Sequence, residues 1–200
     1  MKIQIAVPTF ETIMPETFKS IYDLDAHGHY VEFDFVKGYD VAKARNEIVK
    51  NAMDKKFDYV LMVDSDIILP KDALQLMTED CPDICLGVYP RKNTKNGETE
   101  LFKDNSKDFF DRFKYSEITG PLTERICRME VKGGGFGCAL VALSVFEKMA
   151  YPWFKFEAYK DFTALSEDLF FCDRAGKMGY KIWADIRVRC GHATRGFQYE

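Results

Sequence analysis

The chain has 200 residues, of which 46% are hydrophobic and 30% are charged, and its net charge is −4. This length and composition are typical of one globular domain with a sizeable core, and the small acidic excess argues against a general nucleic-acid-binding protein. No apolar run approaches the roughly 20 residues of a membrane-spanning helix, and residues 1–10 are too briefly apolar for a secretory signal. We therefore expect a cytoplasmic protein without a transmembrane segment.

Strand-like and helix-like segments alternate through the first half of the chain. Apolar or alternating runs predict strands over residues 3–7, 30–36, 59–63 and 84–89. Between them, helices are predicted over residues 14–23, 41–52 and 72–77, and Asp40 is the expected N-cap of the second helix. This order is typical of an α/β fold with a mostly parallel sheet, in which ligands bind at the carboxyl ends of the strands.

The pattern changes at residues 91–124, which are polar and lysine-rich at first and then aromatic and charged. We expect a flexible excursion here, with residues 91–103 and 109–115 closing over the site. A strand at residues 128–131 and a glycine cluster follow, and two terminal strands are expected over residues 180–184 and 187–190. Ser144 and Glu147 have the spacing of a capping box that opens a helix, and Ser166 is the expected N-cap of a helix over residues 167–177.

The six cysteines are scattered, with only Cys81 and Cys85 close together. Without a secretory signal, buried free thiols are a better interpretation than disulfides. A structural zinc site needs four ligands, and this pair has neither a second cysteine pair nor a histidine nearby. A zinc site is therefore the weaker alternative.

The strand predicted at residues 59–63 is wholly apolar and ends at Asp64-Ser65-Asp66. Alternate side chains of an extended segment point the same way, so Asp64 and Asp66 can face one ligand. Two close carboxylates need a cation, and hard oxygen ligands suit Mg²⁺ or Mn²⁺. A turn whose aspartates cap the next helix is the alternative. The haloacid-dehalogenase-like phosphatases also carry Asp-x-Asp after a buried strand, but the apolar residues 67–70 that follow here disfavour that class.

Together with this motif, several segments resemble the A-type (GT-A) glycosyltransferases, close to their family-two-like group. Pro8-Thr9 resembles the loop that contacts the nucleotide base, Ala44-Arg45-Asn46 resembles an element near the nucleotide, and Asp64-Ser65-Asp66 matches the metal and diphosphate motif. Arg91 is a further candidate for the phosphates. The residues expected to bind the donor are Pro8, Thr9, Arg45, Asn46, Asp64, Ser65, Asp66, Arg91, Gly134 and Gly135.

Later segments extend the resemblance. The glycine-rich stretch around Gly134 is similar to an acceptor-side segment, and Glu167-Asp168 to an element whose carboxylate is the base in inverting members. His192 resembles a late histidine that completes the metal shell. The resemblance implies that Mn²⁺ or Mg²⁺, held by Asp64, Asp66 and His192, assists transfer of a sugar from a UDP- or GDP-sugar to a glycan, lipid-linked or protein acceptor. Asp168 or Glu167 would be the catalytic base.

The resemblance also implies a Rossmann-like, mixed but mostly parallel sheet flanked by helices. The single domain would comprise a nucleotide-binding half (1–90), a flexible lid (91–124) and an acceptor and catalytic half (125–200). The chain is shorter than most members of the family, and no Gln-x-x-Arg-Trp element follows Glu167-Asp168. This second departure disfavours a processive polysaccharide synthase.

Simpler interpretations of the same residues remain open. Arg45 can be a solvated helix residue, the glycines can form a tight turn, and Glu167 and Asp168 can be favourable charges in a first helical turn. Two other functions also remain. A sugar-nucleotide nucleotidyltransferase would usually carry a glycine-rich, basic loop after its first strand, where this chain has residues 8–12. A non-catalytic nucleotide- or carbohydrate-binding domain would not require Asp168.

Overall fold

The structure is a computed structural model that describes residues 1–38, 40–92, 97–103, 111–119, 127–158 and 164–193. The helices of this part are α1 (Pro15–Tyr22), α2 (Val41–Asp54), α3 (Ala73–Thr78), α4 (Tyr115–Thr119), α5 (Leu143–Lys148) and α6 (Glu167–Lys177). None of these described helices is long and apolar enough to cross a membrane.

The strands of the described residues are β1 (Lys2–Thr9), β2 (Tyr30–Lys37), β3 (Tyr59–Val63), β4 (Ile67–Ile68), β5 (Ile84–Val88), β6 (Glu98–Phe102), β7 (Arg112–Lys114), β8 (Arg128–Val131), β9 (Gly133–Gly134), β10 (Cys138–Ala142), β11 (Glu157–Ala158), β12 (Ala164–Leu165), β13 (Ile182–Arg189) and β14 (Gly191–His192). The two terminal strands that the sequence suggests over residues 180–184 and 187–190 are thus one continuous strand, β13.

Seven of these strands form one sheet in the order β2-β1-β3-β10-β5-β13-β8. The pairs β2–β1, β1–β3 and β5–β13 are parallel, whereas β10 runs antiparallel to both of its neighbours and β8 antiparallel to β13. Five strands therefore point one way and two the other, which confirms the predicted mixed, mostly parallel sheet. Strands from residues 1–90 and from residues 125–200 interleave in it.

The centre of the sheet is buried on both faces. Every residue of β3, β5 and β10 is buried, as expected for continuous apolar runs covered by helices on either side. Because β1, β3 and β5 point the same way, their carboxyl ends meet at one rim, and the segments that follow Thr9, Val63 and Val88 lie there.

Two of the three predicted helix caps, at Asp40 and Ser144, have different outcomes. Asp40 caps α2, where its carboxylate accepts hydrogen bonds from the backbone N–H groups of Ala42 and Lys43. The capping box at Ser144 is wrong, because α5 begins at Leu143, directly after β10. The N–H of Leu143 is satisfied instead by the carbonyl of Asp58, at 2.9 Å.

Part of the predicted excursion is folded. β6 pairs with both β7 and β9 in a three-stranded sheet, and α4 follows β7 directly. Residues 93–96, 104–110 and 120–126 lie outside the described residues, so the predicted closure of this segment over the site stays a prediction.

A cluster of four phenylalanine rings joins the glycine segment, α5, the loop after α5 and α6. Phe154 stacks on Phe171 with ring centroids 5.3 Å apart, and Phe136 and Phe146 approach Phe171 at 5.1 and 5.2 Å. All four side chains are at most 1% exposed. Phe154 is therefore a core residue, whereas Phe156, two residues later, is 52% exposed.

We expect Phe171→Ala to lower the free energy of unfolding by about 3–5 kcal/mol, because it leaves a cavity among the other three rings. Phe18→Ala is the matched control, since Phe18 is 50% exposed and a surface truncation changes stability by about 0.5 kcal/mol. Urea denaturation followed by circular dichroism measures both. Equal destabilisation by the two substitutions would contradict this packing.

Candidate active site

The chain turns sharply after β3. The N–H of Asp64 donates to the carbonyl of Gly137 (3.1 Å), and the N–H of Ile67 returns to the carbonyl of Asp64 (3.1 Å). The carbonyl of Ser65 accepts from the N–H of Met14 at 2.8 Å, just before α1. The backbone of the Asp64-Ser65-Asp66 motif is thus held by neighbouring segments, and both aspartate side chains remain partly exposed, at 36% and 30%.

The guanidinium of Arg45 is buried between two carboxylates. Its Nη2 donates to Asp64 Oδ1 at 2.8 Å and its Nη1 to Glu167 Oε1 at 2.6 Å, and the Phe136 ring lies 5.6 Å from the guanidinium carbon. Burial alone would lower the pKa of Arg45, but the Asp64 and Glu167 carboxylates outweigh burial and raise it. At 2% exposure, Arg45 is a buried cross-link between α2, the end of β3 and the start of α6.

The two acidic residues that begin α6 differ in environment. Glu167 is buried, and burial raises its pKa although Arg45 partly offsets this effect. Asp168 is more accessible and receives a hydrogen bond from the Ser166 hydroxyl. Ser166 occupies the N-cap position as predicted, but its side chain makes no capping bond to the backbone. Asp168 is therefore the carboxylate of this pair that a ligand can reach.

His192 is brought to Asp66 by a short strand pair. In the β14–β4 ladder His192 lies opposite Ile67, and the N–H of Ala193 donates to the carbonyl of Asp66 at 2.7 Å. The His192 Nδ1 lies 2.7 Å from the Pro90 carbonyl, and its Nε2 lies 3.5 Å from Asp66 Oδ1. Since a carbonyl only accepts hydrogen bonds, Nδ1 carries a proton.

This geometry leaves room for a cation. In the neutral imidazole, Nε2 presents a lone pair toward a carboxylate oxygen, so two acceptors face each other unless a proton or a metal ion lies between them. The other oxygen of Asp66 accepts a hydrogen bond from the ammonium of Lys92. Burial would raise the pKa of Asp66, but the ammonium of Lys92 and a His192 that donates from Nε2 outweigh burial and lower the pKa to about 2.

Tyr89 connects these parts, although no role was assigned to it from the sequence. Its hydroxyl accepts from the N–H of Gly137 at 3.0 Å, and its ring lies edge-on to His192 with centroids 5.6 Å apart. A β-carbon at Gly135 would collide with this hydroxyl, and one at Gly137 would lie 2.8 Å from the Tyr89 ring. The glycine-rich segment therefore allows close packing against Tyr89.

The other predicted donor-binding residues are spread around the rim. Gly134 lies in β9, where a β-carbon would come within 2.8 Å of the Glu100 carbonyl. Asn46 is buried, and its amide bridges α2 to the backbone of Trp153 and Phe154. Arg91 lies beside β6, where its guanidinium forms ion pairs with the carboxylates of Glu98 at 3.4 Å and Glu100 at 3.5 Å.

Pro8 and Thr9 line a cavity of about 410 Å³ at the end of β1. Its other walls come from the end of β2, the start of α2 and the two exposed aromatic side chains Phe10 and Phe156. Ala44 lines this cavity and its neighbour Arg45 contacts Asp64, so the cavity and the acidic cluster border the same turn of α2.

The structure thus brings Asp64, Asp66, His192, Glu167 and Asp168 to one rim. It adds Lys92 and Tyr89, neither of which has a role assigned from the sequence. Tyr89 had a weak signal, because it ends a predicted strand whose carboxyl end belongs at the rim. Within the described residues, no group of three or more His, Cys, Asp or Glu side chains is already arranged to hold a metal ion.

We expect Arg45→Met to destabilise the protein by about 3–5 kcal/mol near neutral pH, because Glu167 and Asp64 lose their counter-charge. Without Arg45, the Glu167 pKa, already raised by burial, rises further. A carboxyl whose folded-state pKa is raised destabilises the protein as pH rises from its unfolded-state pKa to its folded-state pKa. The stability deficit of Arg45→Met should therefore shrink as the pH is lowered from about 7 to about 5.

Urea titrations at both pH values measure this effect, and Arg45→Met combined with Glu167→Gln should regain part of the loss. Lys181→Met is the matched control. It breaks the 2.8 Å ion pair between Lys181, whose side chain is 62% exposed, and Glu130, whose side chain is 44% exposed. This substitution should lower stability by less than about 1 kcal/mol at either pH. An Arg45→Met deficit that does not change with pH would be evidence against a charged Glu167 at this cross-link.

Comparison of the sequence with protein-family models and with curated proteins gave no match. Solved structures do match. A197 from STIV aligns with a TM-score of 0.65 at 15% identity, over 97% of this chain and 86% of that one. GalNAc-T7, solved with UDP, GalNAc and Mn²⁺, gives 0.67 at 9% identity, and residues 1–349 of TarS from S. aureus give 0.56 at 16%.

These alignments cover 97% and 96% of this chain, but only 44% of the GalNAc-T7 chain and 60% of the TarS chain. At such low identity the likeness concerns the fold. Strand order, the acidic rim after β3 and these similarities agree with the resemblance seen in the sequence: the chain has a GT-A glycosyltransferase fold.

Proposed function

We propose that the protein is a metal-dependent glycosyltransferase that moves a sugar from a nucleoside-diphosphate sugar to an acceptor hydroxyl. The observation that carries the proposal is the convergence of Asp66, His192 and Asp168 at one rim of a GT-A fold. They come from three distant parts of the chain. GalNAc-T7, which shares the fold, was solved with UDP, GalNAc and Mn²⁺.

The residues at this rim fit a divalent cation. Asp66 Oδ1 and His192 Nε2 face each other 3.5 Å apart, and a carboxylate oxygen with an imidazole nitrogen is a suitable partial ligand set for Mn²⁺. Asp64, with Oδ1 on Arg45, would support the site through its second oxygen. Mn²⁺ or Mg²⁺ bound here would take its remaining ligands from phosphates and water and neutralise charge on the departing diphosphate.

The cavity beside Pro8 and Thr9 suits the nucleoside part of the donor. Its volume of about 410 Å³ lies within the usual range for small-molecule sites. Phe10 and Phe156, each 52% exposed, give it aromatic surface on which a planar base can stack. Because this cavity and Asp64 border the same turn of α2, we expect a nucleotide whose base lies there to direct its phosphates toward the acidic rim.

We assign the base role to Asp168. Glu167 is bound to Arg45 and 6% exposed, whereas Asp168 is more accessible and is oriented by the Ser166 hydroxyl. Its carboxylate would take the proton of the acceptor hydroxyl as that oxygen bonds to the anomeric carbon. The bond from this carbon to the diphosphate breaks in the same step, which gives inversion of configuration.

Four of the predicted donor-binding residues have a structural role in this assignment, namely Arg45, Asn46, Gly134 and Gly135. Arg45 holds Asp64 and Glu167 in place, Asn46 fixes α2 against the loop at Trp153, and the glycines leave space for Tyr89 and β6. Direct contact of these residues with the donor stays a prediction. Arg91 is more exposed and remains the candidate of this set for contacting phosphate.

Asp66→Ala and Asp168→Asn separate binding from turnover. Asp66→Ala should abolish Mn²⁺-dependent binding of the nucleoside diphosphate, since it removes a metal ligand. Asp168→Asn should bind the nucleotide normally but turn over about 10²–10⁴-fold more slowly, because it removes only the base. Calorimetry with Mn²⁺ and UDP or GDP measures binding, and Asp54→Asn, on an exposed helix end, is the control. Normal turnover by Asp168→Asn would remove that residue from its role.

The function itself is tested by incubating the wild-type protein with a panel of nucleotide sugars and Mn²⁺ and measuring release of nucleoside diphosphate. We expect slow hydrolysis of one or a few members, abolished by EDTA. Release of pyrophosphate from a nucleoside triphosphate and a sugar phosphate would indicate a nucleotidyltransferase instead. Binding without hydrolysis of any member would favour a non-catalytic domain.

A further inference from the structure

Lys92 occupies the position next to the proposed metal. Its ammonium is bound to Asp66 Oδ2, while the Oδ1 atom of the same carboxylate faces His192 Nε2 at 3.5 Å. One carboxylate therefore contacts both the lysine and the space where a metal ion would bind. Lys92 was not singled out by any motif, because it is one of several basic residues in a polar stretch.

Arg45 and Lys92, which both bind aspartates of the acidic rim, differ in how tightly they are held. Arg45 is 2% exposed and is held by two carboxylates from different elements, so its position is fixed. The Lys92 and Asp66 side chains are 36% and 30% exposed, so water reaches their contact. A lysine ammonium on a flexible four-carbon stem can exchange such a contact more readily than a buried guanidinium.

We propose that Lys92 and the divalent cation compete for Asp66. When the metal binds, the Lys92 side chain leaves Asp66 and its ammonium forms an ion pair with the donor diphosphate. This inference rests on the metal site of the proposed function. A divalent ion at Asp66 repels an ammonium bound to the same carboxylate. The phosphates of a bound nucleotide then offer the displaced ammonium a new anionic partner beside the metal.

The exchange makes metal and nucleotide binding interdependent. Without nucleotide, the metal has to displace Lys92 from Asp66, which weakens metal binding. With nucleotide present, the displaced ammonium gains a phosphate contact, which favours both ligands. Each ligand therefore raises the affinity for the other, as linkage requires. Before either binds, Lys92 balances the charge of Asp66.

Lys92→Met tests this competition, because methionine keeps much of the side chain's apolar stem and removes the charge. Mn²⁺ binding is measured by the electron paramagnetic resonance signal of free Mn²⁺, with and without saturating UDP and GDP. Without nucleotide, Lys92→Met should bind Mn²⁺ roughly fivefold more tightly than wild type, the scale expected for losing one partly exposed ion pair. With nucleotide this advantage should vanish or reverse, and the variant should bind the nucleotide more weakly.

Lys92→Arg keeps the charge and should retain weak Mn²⁺ binding in the absence of nucleotide. Lys181→Met removes a lysine whose partner is Glu130 and should match wild type in both arms. Equal Mn²⁺ affinities for Lys92→Met and wild type without nucleotide would overturn the competition, while Mn²⁺ and nucleotide binding by wild type would leave the proposed function standing. If wild type binds no Mn²⁺ in either arm, the proposed metal site fails and this inference fails with it.

Discussion

Negative charge crowded at one rim of the sheet is the constraint on which the rest of the site depends. Asp64, Asp66, Glu167 and Asp168 converge there, and like charges gathered in one place repel each other unless cations lie among them. Arg45 meets this need on the buried side, where it binds Asp64 and Glu167. On the open side, the partly exposed Lys92 binds Asp66, and His192 lies beside the same carboxylate. A further cation or an exchange of partners can therefore act on this part of the rim.

The topology of the sheet explains how distant residues reach the rim. Because β10 inserts between β3 and β5, the glycine segment before it runs beside the Asp64 turn and under Tyr89. β13 lies beside β5 and continues into β14, which pairs with β4 and sets His192 next to Asp66. A two-residue strand pair thus fixes the relative positions of the imidazole and the carboxylate.

Local signals predicted the scaffold well. Residues 59–63 are apolar throughout and form the central strand, and Asp40 caps α2 because its own carboxylate reaches the first free N–H groups. The capping box at Ser144 failed because backbone carbonyls of other loops satisfy the start of α5. The buried position of Arg45 could not be predicted from such local signals. Its burial depends on a contact with Glu167, 122 positions away, and helical spacing alone gives no indication of it. Lys92 was missed because it is one of several basic residues in a polar stretch.

The proposed function requires that Asp66 and His192 hold a divalent cation that binds a nucleoside diphosphate. Crystals grown with Mn²⁺ and a nucleoside diphosphate, measured at the manganese absorption edge, test it most directly. We expect an anomalous peak about 2.1 Å from both an Asp66 oxygen and His192 Nε2, with phosphate oxygens completing the shell. Ordered nucleotide with no anomalous peak between these two side chains would contradict it.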